Sequence, residues 1–393
     1  MKKGVLPDLP MNVFNDVRIP FNKSSVDVRV VDFIRQVIES GKLGGDGVVC
    51  RSVELWFEER FNARHVFLTT SGSHALEMAM MMLDLRPGDE VITPSFTFVS
   101  TANAIVRAAA RPVFCEINET TLTLDVKDLE RKISKRTRAV VPVCYAGVSA
   151  EMDEICAIAG AHGLKVIEDA AQGVNAKYRG KYLGTIGDMG IYSFHETKNY
   201  VSGEGGAFIT SDKQLGRRAE IIREKGTNRA NFVRGEVDKY TWVDLGSSFV
   251  LSDILAAVLM FQLDDLDVIQ DRRKKIHLSY LAGLRELEQS EKLRLPVIPE
   301  YCGSNYHIFY VLLPSEKERN RLMRQLKESG IGTAFHYVPL HSSPYARERL
   351  GLRDLNLPVT DRISGTLLRL PLYPHLTDDD VQFVIEKMRG NLK

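Results

Sequence analysis

Short apolar runs punctuate the first half of the chain. They are Val91-Ile92-Thr93-Pro94, Pro112-Val113-Phe114-Cys115, Ala139 to Tyr145, Lys165-Val166-Ile167-Glu168-Asp169, Gly190-Ile191-Tyr192-Ser193-Phe194 and Ala207-Phe208-Ile209-Thr210. The runs are β-branched and continuous rather than alternating, the pattern of strands buried on both faces of a parallel-type sheet. Met152 to His162, between two of them, has helical spacing. Strands alternating with helices predict an α/β architecture.

The texture changes after Thr227. Residues 227–250 are polar and irregular. A helical pattern then runs from about Ser252 to Leu287, apolar at Ile254 to Leu259 and charged at Asp271 to Lys275, as in a helix that leaves one core and bridges to another. Beyond it the pattern predicts a strand at Ile308–Leu313, a helix at Glu316–Ser329, a strand at Gly332–Val338 and a last helix near Asp378–Arg389. This divides the chain into a large domain, 1–262, and a smaller C-terminal α+β domain, 263–393.

Composition narrows the classes. A chain of 393 residues, 44% hydrophobic and 26% charged, is of ordinary globular make-up. Lys plus Arg is 52 against 51 Asp plus Glu, so no global basic excess points to nucleic acid or an anionic membrane. An anionic ligand must be held locally. The five cysteines, Cys50, Cys115, Cys144, Cys156 and Cys302, form no Cys-x-x-Cys pair, which argues against a structural metal, a redox motif or a disulfide framework. They are expected to be buried thiols in a reducing cytoplasm. Lys2 and Lys3 are followed by Pro7, Asp8 and Pro10 before any apolar stretch, unlike a signal peptide. Ile254 to Phe261 is too short to span a bilayer.

Four places carry candidate chemistry. Thr70-Ser71-Gly72-Ser73 precedes an apolar helix, where free N–H groups, a helix dipole and two hydroxyls make an anion site. A plain serine N-cap would read the same way. Glu168-Asp169-Ala170-Ala171-Gln172 closes an apolar strand, and ligands of open α/β sheets sit at such strand ends; an N-cap aspartate is the ordinary alternative. Ser193-Phe194-His195-Glu196-Thr197-Lys198-Asn199 places a lysine just past another strand end, and burial would make its amine nucleophilic. Pro94-Ser95-Phe96-Thr97-Phe98-Val99-Ser100-Thr101 sets two aromatics beside hydroxyls at a strand end, an aromatic face for a flat ring or a core aromatic. The Gly203-Glu204-Gly205-Gly206 stretch is no dinucleotide fingerprint, because Phe208 stands where the last glycine is required. Together, an anion cup, an aromatic cover, a strand-end aspartate and a lysine match the needs of pyridoxal phosphate.

Thr-Ser-Gly-Ser-x-Ala-Leu, Pro-Ser-x-Thr-Phe, Glu-Asp-Ala-Ala-Gln and Ser-Phe-His-x-x-Lys-Asn, in that order, resemble the sugar aminotransferases of the DegT/DnrJ/EryC1/StrS family. The resemblance runs from about Ile19 to the last helix. It implies the fold type I transferase architecture of aspartate aminotransferase, a mixed sheet covered by helices. It also implies pyridoxal 5'-phosphate as cofactor, L-glutamate and a 4-keto-6-deoxy sugar nucleotide as partners, and a homodimer with sites between subunits. By resemblance, Lys198 bonds the cofactor and shuttles the proton, Asp169 pairs with the ring nitrogen and Gln172 sits by the ring hydroxyl. Gly72, Ser73 and Ser193 hold the phosphate, and Phe98, rather than Phe96, covers the ring. Ser248 stands where many relatives have an asparagine that reaches the neighbouring subunit's phosphate. Some relatives that have histidine at the lysine position are dehydratases; Lys198 argues for transamination.

A diphosphate-bearing substrate calls for basic residues. Lys42, Lys225, Arg229, Lys239, His307 and His336 are candidates, each also readable as a solvated charge or a satisfied histidine. A non-catalytic sugar-nucleotide sensor need keep neither Lys198 nor Asp169. An enzyme acting on amino acids alone would need an arginine clamp for the α-carboxylate, for which Arg369 remains open.

Overall fold

The computed structural model describes residues 17–392. The N-terminal lysines and prolines weighed above lie outside the described residues. In chain order the strands are β1 (His65–Thr69), β2 (Glu90–Pro94), β3 (Arg111–Cys115), β4 (Thr137–Val140), β5 (Lys165–Asp169), β6 (Lys177–Tyr178), β7 (Lys181–Tyr182), β8 (Met189–Ser193), β9 (Gly206–Thr210), β10 (Cys302–Gly303), β11 (Phe309–Leu312) and β12 (Leu367–Leu370). Seven of them form the central sheet, in the order β1-β9-β8-β5-β4-β2-β3. β3, β2, β4, β5 and β8 run parallel, and β9 runs antiparallel to both β8 and β1. The sheet is therefore mixed. The direction of β9 carries no local sequence signature, because its burial on both faces gives the same continuous apolar run.

Two apolar layers cover the sheet. On one face the helix Val48–Phe61 packs Val53, Phe57 and Phe61 with Ile92, Val140 and Tyr192. On the other, the helix Gly72–Met81 packs Ala75, Leu76 and Ala79 with Val91, Ile167 and Ile191. The start of Val48–Phe61 is capped from afar: the Asp253 carboxylate accepts the N–H groups of Val49 and Cys50.

The expected long helix is two helices, Asp253–Leu263 and Leu266–Gln289. Leu263 and Leu266 are both buried in the first core, and the chain breaks its regular turn at Asp264 and Asp265 between them. The second helix then carries Ile276, Tyr280 and Leu284 into a separate core with Phe309, Leu322, Leu368 and Val384. There β11 and β12 pair antiparallel, flanked by the helices Glu316–Glu328 and Asp378–Asn391. The expected strand at Gly332–Val338 is not regular. Only Ala334 pairs with Arg369, after which His336 and Tyr337 turn into a cleft and Pro339, lacking an N–H, cannot continue a ladder.

Ile19 belongs to this second core. Its N–H bonds Gly330 O at 2.9 Å, its carbonyl accepts Gly332 N at 2.8 Å, and Arg18 lies over the Phe383 ring. Among the described residues no helix is long and apolar enough to cross a membrane. All five cysteines are free thiols; Cys50, Cys115 and Cys144 are buried, Cys156 and Cys302 half-buried.

Candidate functional site

The carboxyl ends of β1, β2, β5 and β8 open on one side of the sheet. There a cleft of about 350 Å³ lies between the sheet, the loop before β11, the stretch 336–337 and β12. β9 begins at this edge, so Gly206 sits beside both Thr69 and Ser193. A Cβ on Gly206 would run into the backbone of Ser71 and Gly72. The glycine lets two strands and a helix start converge on one point. Gly72 is equally confined: its Cβ would lie 3.0 Å from Ser193 Cβ.

That point is where the cleft could hold an anion. Ser71 caps the helix Gly72–Met81 by accepting His74 N–H at 3.1 Å, and the cap leaves the helix start open to the cleft. The first N–H groups of a helix have no partner within it and carry its positive pole. Gly72, Ser73 and Ser193 line the cleft around them, and Ser73 Oγ lies 2.6 Å from Ser100 Oγ.

Asp169 closes β5 from below. The period of two along the strand turns its neighbour Glu168 the opposite way, where it accepts N–H groups of Gly184, Ile186 and Gly187 and serves the fold. Asp169 faces the cleft. It accepts the Thr101 hydroxyl at 2.7 Å and Ala171 N–H at 3.2 Å. Burial pushes its carboxyl up, opposed by those two donors and by Lys198. A buried carboxylate without a salt-bridge partner among the described residues is a group that a ligand cation could match. Gln172 is fully engaged: its amide oxygen accepts Ala146 N–H at 2.7 Å and its nitrogen donates to Tyr337 Oη at 2.9 Å. Phe98, 57% exposed, lies along the cleft, whereas Phe96 is buried in a core against Tyr145 and Ile308.

Lys198 lines the same cleft. Burial pushes its amine from the ordinary 10.5 down to about 8; Asp169 opposes the shift and Arg369 adds to it. A substantial fraction is thus neutral and nucleophilic near pH 8. Arg369, on β12, is held below its usual value by burial, and its Nε is buried with no partner among the described residues. The Phe21 ring lies 4.6 Å from its guanidinium. His336 lines the cleft with Nδ1 3.1 Å from Tyr145 Oη, and burial, Arg369 and Lys198 keep its ring neutral.

The remaining expected residues lie elsewhere in the single chain. Lys42 and Lys239 are exposed on loops. Lys225 pairs with Glu224 at 2.9 Å and Arg229 approaches the same carboxylate at 3.8 Å. Ser248 is exposed and pairs with Glu224 through the backbone. Thr101, from the stretch Pro94 to Thr101, and His307 also line the cleft, and the structure adds Phe21, Arg273 and Tyr337 as lining residues.

The residues present fit pyridoxal phosphate: a helix start with hydroxyls for its phosphate, an exposed aromatic for its ring, a buried carboxylate for its ring nitrogen and a partly neutral lysine. Fold and site together define a pyridoxal-phosphate-dependent fold type I transferase. The DegT/DnrJ/EryC1/StrS aminotransferase family model matches residues 25–389, and the chain belongs to that family. It is 34% identical over 383 residues to the spore coat polysaccharide biosynthesis protein SpsC of Bacillus subtilis, covering 95% of this chain and 97% of that one. Among solved structures it resembles the aminotransferase TlmJ of Streptoalloteichus hindustanus, with 30% identity and a TM-score of 0.87 over 96% of this chain and 98% of that one. It also resembles an aminotransferase of Psychrobacter cryohalolentis, with 28% identity and a TM-score of 0.89 over 94% and 98%. The protein is a sugar aminotransferase.

Proposed function

We propose that the enzyme transfers the amino group of L-glutamate to dTDP-4-keto-6-deoxyglucose, giving dTDP-4-amino-4,6-dideoxygalactose for a surface polysaccharide. The observation that carries the chemistry is the convergence of Lys198, Asp169 and the Ser71–Ser73 helix start on one cleft. The choice of sugar rests on resemblance to the transaminase of that product, in Ser40 to Gly47, Ser193 to Tyr200, Arg223 to Arg229, Asp238 to Trp242 and Phe335 to His341.

In this reading Gly72, Ser73 and Ser193 hold the cofactor phosphate and Phe98 covers its ring. When bound, the cofactor supplies an electron sink for the carbon that loses its proton. Asp169 keeps the ring-nitrogen proton in place. Lys198 Nζ takes the α-proton of L-glutamate and returns one to C4 of the sugar, being partly neutral at working pH. Arg369, with its unpaired buried Nε, holds the donor's carboxylate. Thr101, buried, and Tyr337, half-buried, surround Asp169 and Gln172 and shield the polar end from water.

The enzyme works as a homodimer in the cytoplasm, and Lys42, Lys225, Arg229, Lys239 and Ser248 serve the site of the second copy. Trp242, Leu245 and Val233, on the same stretch as four of them, are 75%, 66% and 72% exposed; such uncovered apolar surface supports a partner there. The first test is an absorbance spectrum before and after L-glutamate. A yellow band that bleaches, and is restored by the dTDP-linked keto sugar with an amino product found by mass spectrometry, is expected. Restoration only by a GDP-linked or 3-keto sugar overturns the substrate, and a protein that stays colourless with added cofactor overturns the assignment of Lys198.

A further inference from the structure

Ser95 and His341 stand in two of the segments read above, Pro94 to Thr101 and Phe335 to His341, and neither is among the residues lining the cleft. They bond each other across 246 residues. Ser95 follows β2 and is fully buried. Its carbonyl accepts Leu340 N–H at 3.0 Å and its Oγ accepts His341 N–H at 3.0 Å. One serine of the large domain thus satisfies the open start of the short turn Leu340–Ser342. The same Oγ lies 2.8 Å from His341 Nδ1. A hydroxyl has a single hydrogen to give, and Nδ1 is the acceptor it meets among the described residues. Nδ1 is therefore bare and Nε2 carries the ring proton. Nε2 lies 3.4 Å from Asp361 Oδ1. Serine, histidine and aspartate in series resemble a hydrolytic triad, but a serine with no exposed surface cannot meet a substrate. The arrangement is a clasp.

The clasp joins two walls of the cleft. Phe98, three residues after Ser95, and Tyr337, four before His341, both line it, with ring centroids 6.4 Å apart. Tyr337 Oη accepts from Gln172 Nε2 at 2.9 Å, and Tyr337 O accepts the Ser364 hydroxyl. Ser364 and Asp361 share the helix Pro358–Thr366. Glu116, just past β3, accepts the N–H groups of Val359 and Thr360 at the start of that helix, at 3.1 and 2.8 Å. Leu340 packs with Phe114 and Leu357. The stretch Tyr337 to His341 is thus backed by one helix, and Ser95 ties its far end to the loop that carries Phe98. We propose that His341 is a positioning residue: clasped to Ser95, it fixes Tyr337 relative to Phe98, and through Tyr337 the amide of Gln172, around the gap that receives the cofactor ring. The proposal rests on Phe98 and Gln172 flanking that ring, as in the preceding section. His341 itself touches neither cofactor nor substrate.

Burial favours the neutral imidazole, helped by Arg347 and opposed by Asp361 and Glu116. The test is the rate at which the holoenzyme loses pyridoxal phosphate on dialysis, with the visible circular dichroism of the cofactor still bound. Ser95→Ala and His341→Leu each open the clasp. Each should speed release about tenfold, the size of one hydrogen bond. The double variant should also lose the cofactor about tenfold faster, not a hundredfold, because both changes remove one interaction. His341→Asn sets an amide oxygen near the Nδ1 position, so it keeps the Ser95 bond and gives up only Asp361. Its release rate should stay within about threefold of wild type, and it should restore the circular dichroism that the leucine variant loses. Rates that multiply in the double variant sink the proposal, as does an asparagine variant as leaky as the leucine one. So does wild-type release with a lowered unfolding temperature, the mark of a merely structural histidine. Histidine ¹⁵N spectra of the wild-type chain need no variant to fold: His341 should show a bare Nδ1 and Nε2–H from pH 7 to 9, and a proton on Nδ1 would refute the clasp. None of these readouts uses glutamate or sugar, so each can fail while the aminotransferase reading stands.

Discussion

Replacing Asp169 with asparagine should move stability and activity in opposite directions. The side chains have the same shape, and every hydrogen bond can be kept. The asparagine oxygen accepts from Ala171 N–H, and its nitrogen donates to Thr101 Oγ1. Thr101 then donates to Thr97 Oγ1, 3.0 Å away. What disappears is the charge. Burial raises the Asp169 carboxyl above its ordinary value, so its ionisation opposes folding of the cofactor-free chain. The stability it contributes is full below the ordinary carboxylate pKa and is lost as pH rises through the folded value. At pH 7 to 8 the asparagine variant, freed of cofactor, should therefore unfold at a higher temperature than wild type. The cofactor loses in the same stroke. A carboxylate and a protonated ring nitrogen about 4 Å apart attract by about 4 kcal/mol at an effective dielectric of 20. That corresponds to roughly three pKa units on the ring nitrogen, and the glutamate half-reaction should slow by roughly a thousandfold, read from the bleaching of the yellow band. A half-reaction within about threefold of wild type would refute the role of Asp169. A clear drop in unfolding temperature of the cofactor-free variant would refute the electrostatic argument and make Asp169 a structural residue.

The two phenylalanines of the β2 loop should separate in the same way: Phe96→Ala should cost about 3–5 kcal/mol of stability in denaturant unfolding, because Phe96 is fully buried, while Phe98→Ala should leave stability nearly unchanged and weaken cofactor retention on dialysis. Gly206→Ala should destabilise by about 1–3 kcal/mol and release the cofactor more readily, since the added methyl meets the Ser71 and Gly72 backbone; an alanine variant with wild-type cofactor affinity would show that this approach is not needed. Capture of added pyridoxal phosphate by the cofactor-free chain should accelerate as pH rises through about 8, because the Lys198 amine is depressed to about 8 and only its neutral form attacks; a rate constant flat from pH 7 to 9 in stopped-flow absorbance would contradict it.

What could be read from the chain and what could not follows from sequence distance. Thr69 to Leu76, Pro94 to Thr101, Glu168 to Gln172 and Ser193 to Asn199 each hold their chemistry within a few residues of a strand end, and the parallel sheet brings those ends to one edge. Arg369 and His307 have no such local setting. Arg369 reaches the cleft because β12 pairs with β11 and Ala334, and His307 because two asparagines 106 residues apart bond each other. The break at Asp264 and Asp265 leaves no mark in the sequence, because both flanking segments are helical and no proline or glycine stands between them. Gly332 to Val338 reads as strand by composition, yet beyond the Ala334–Arg369 bridge its partners are the cleft and the side chain of Ser364, which donates to Tyr337 O. Lys42, Lys225, Arg229 and Lys239 are bases within shared segments, and charge alone does not say which side of a surface a lysine faces.

The clasp between Ile19 and the Gly330–Gly332 turn sets an order of events during synthesis. Phe21 covers Arg369, and Ile19 fills a core completed by Ile331 and Val384; the early partner waits for about 310 residues of later chain. At roughly 5–20 residues per second that wait is about 15–60 s. Throughout it Ile19 and Phe21 have no native surface to meet, while the strands β1 to β9 can already pair. A nascent chain stalled before β12 would therefore carry the Ser71–Ser73 helix start, Asp169 and Lys198 with one wall of the cleft missing. Pyridoxal phosphate should be held firmly only after release, once Ile19 and Phe21 close over β12.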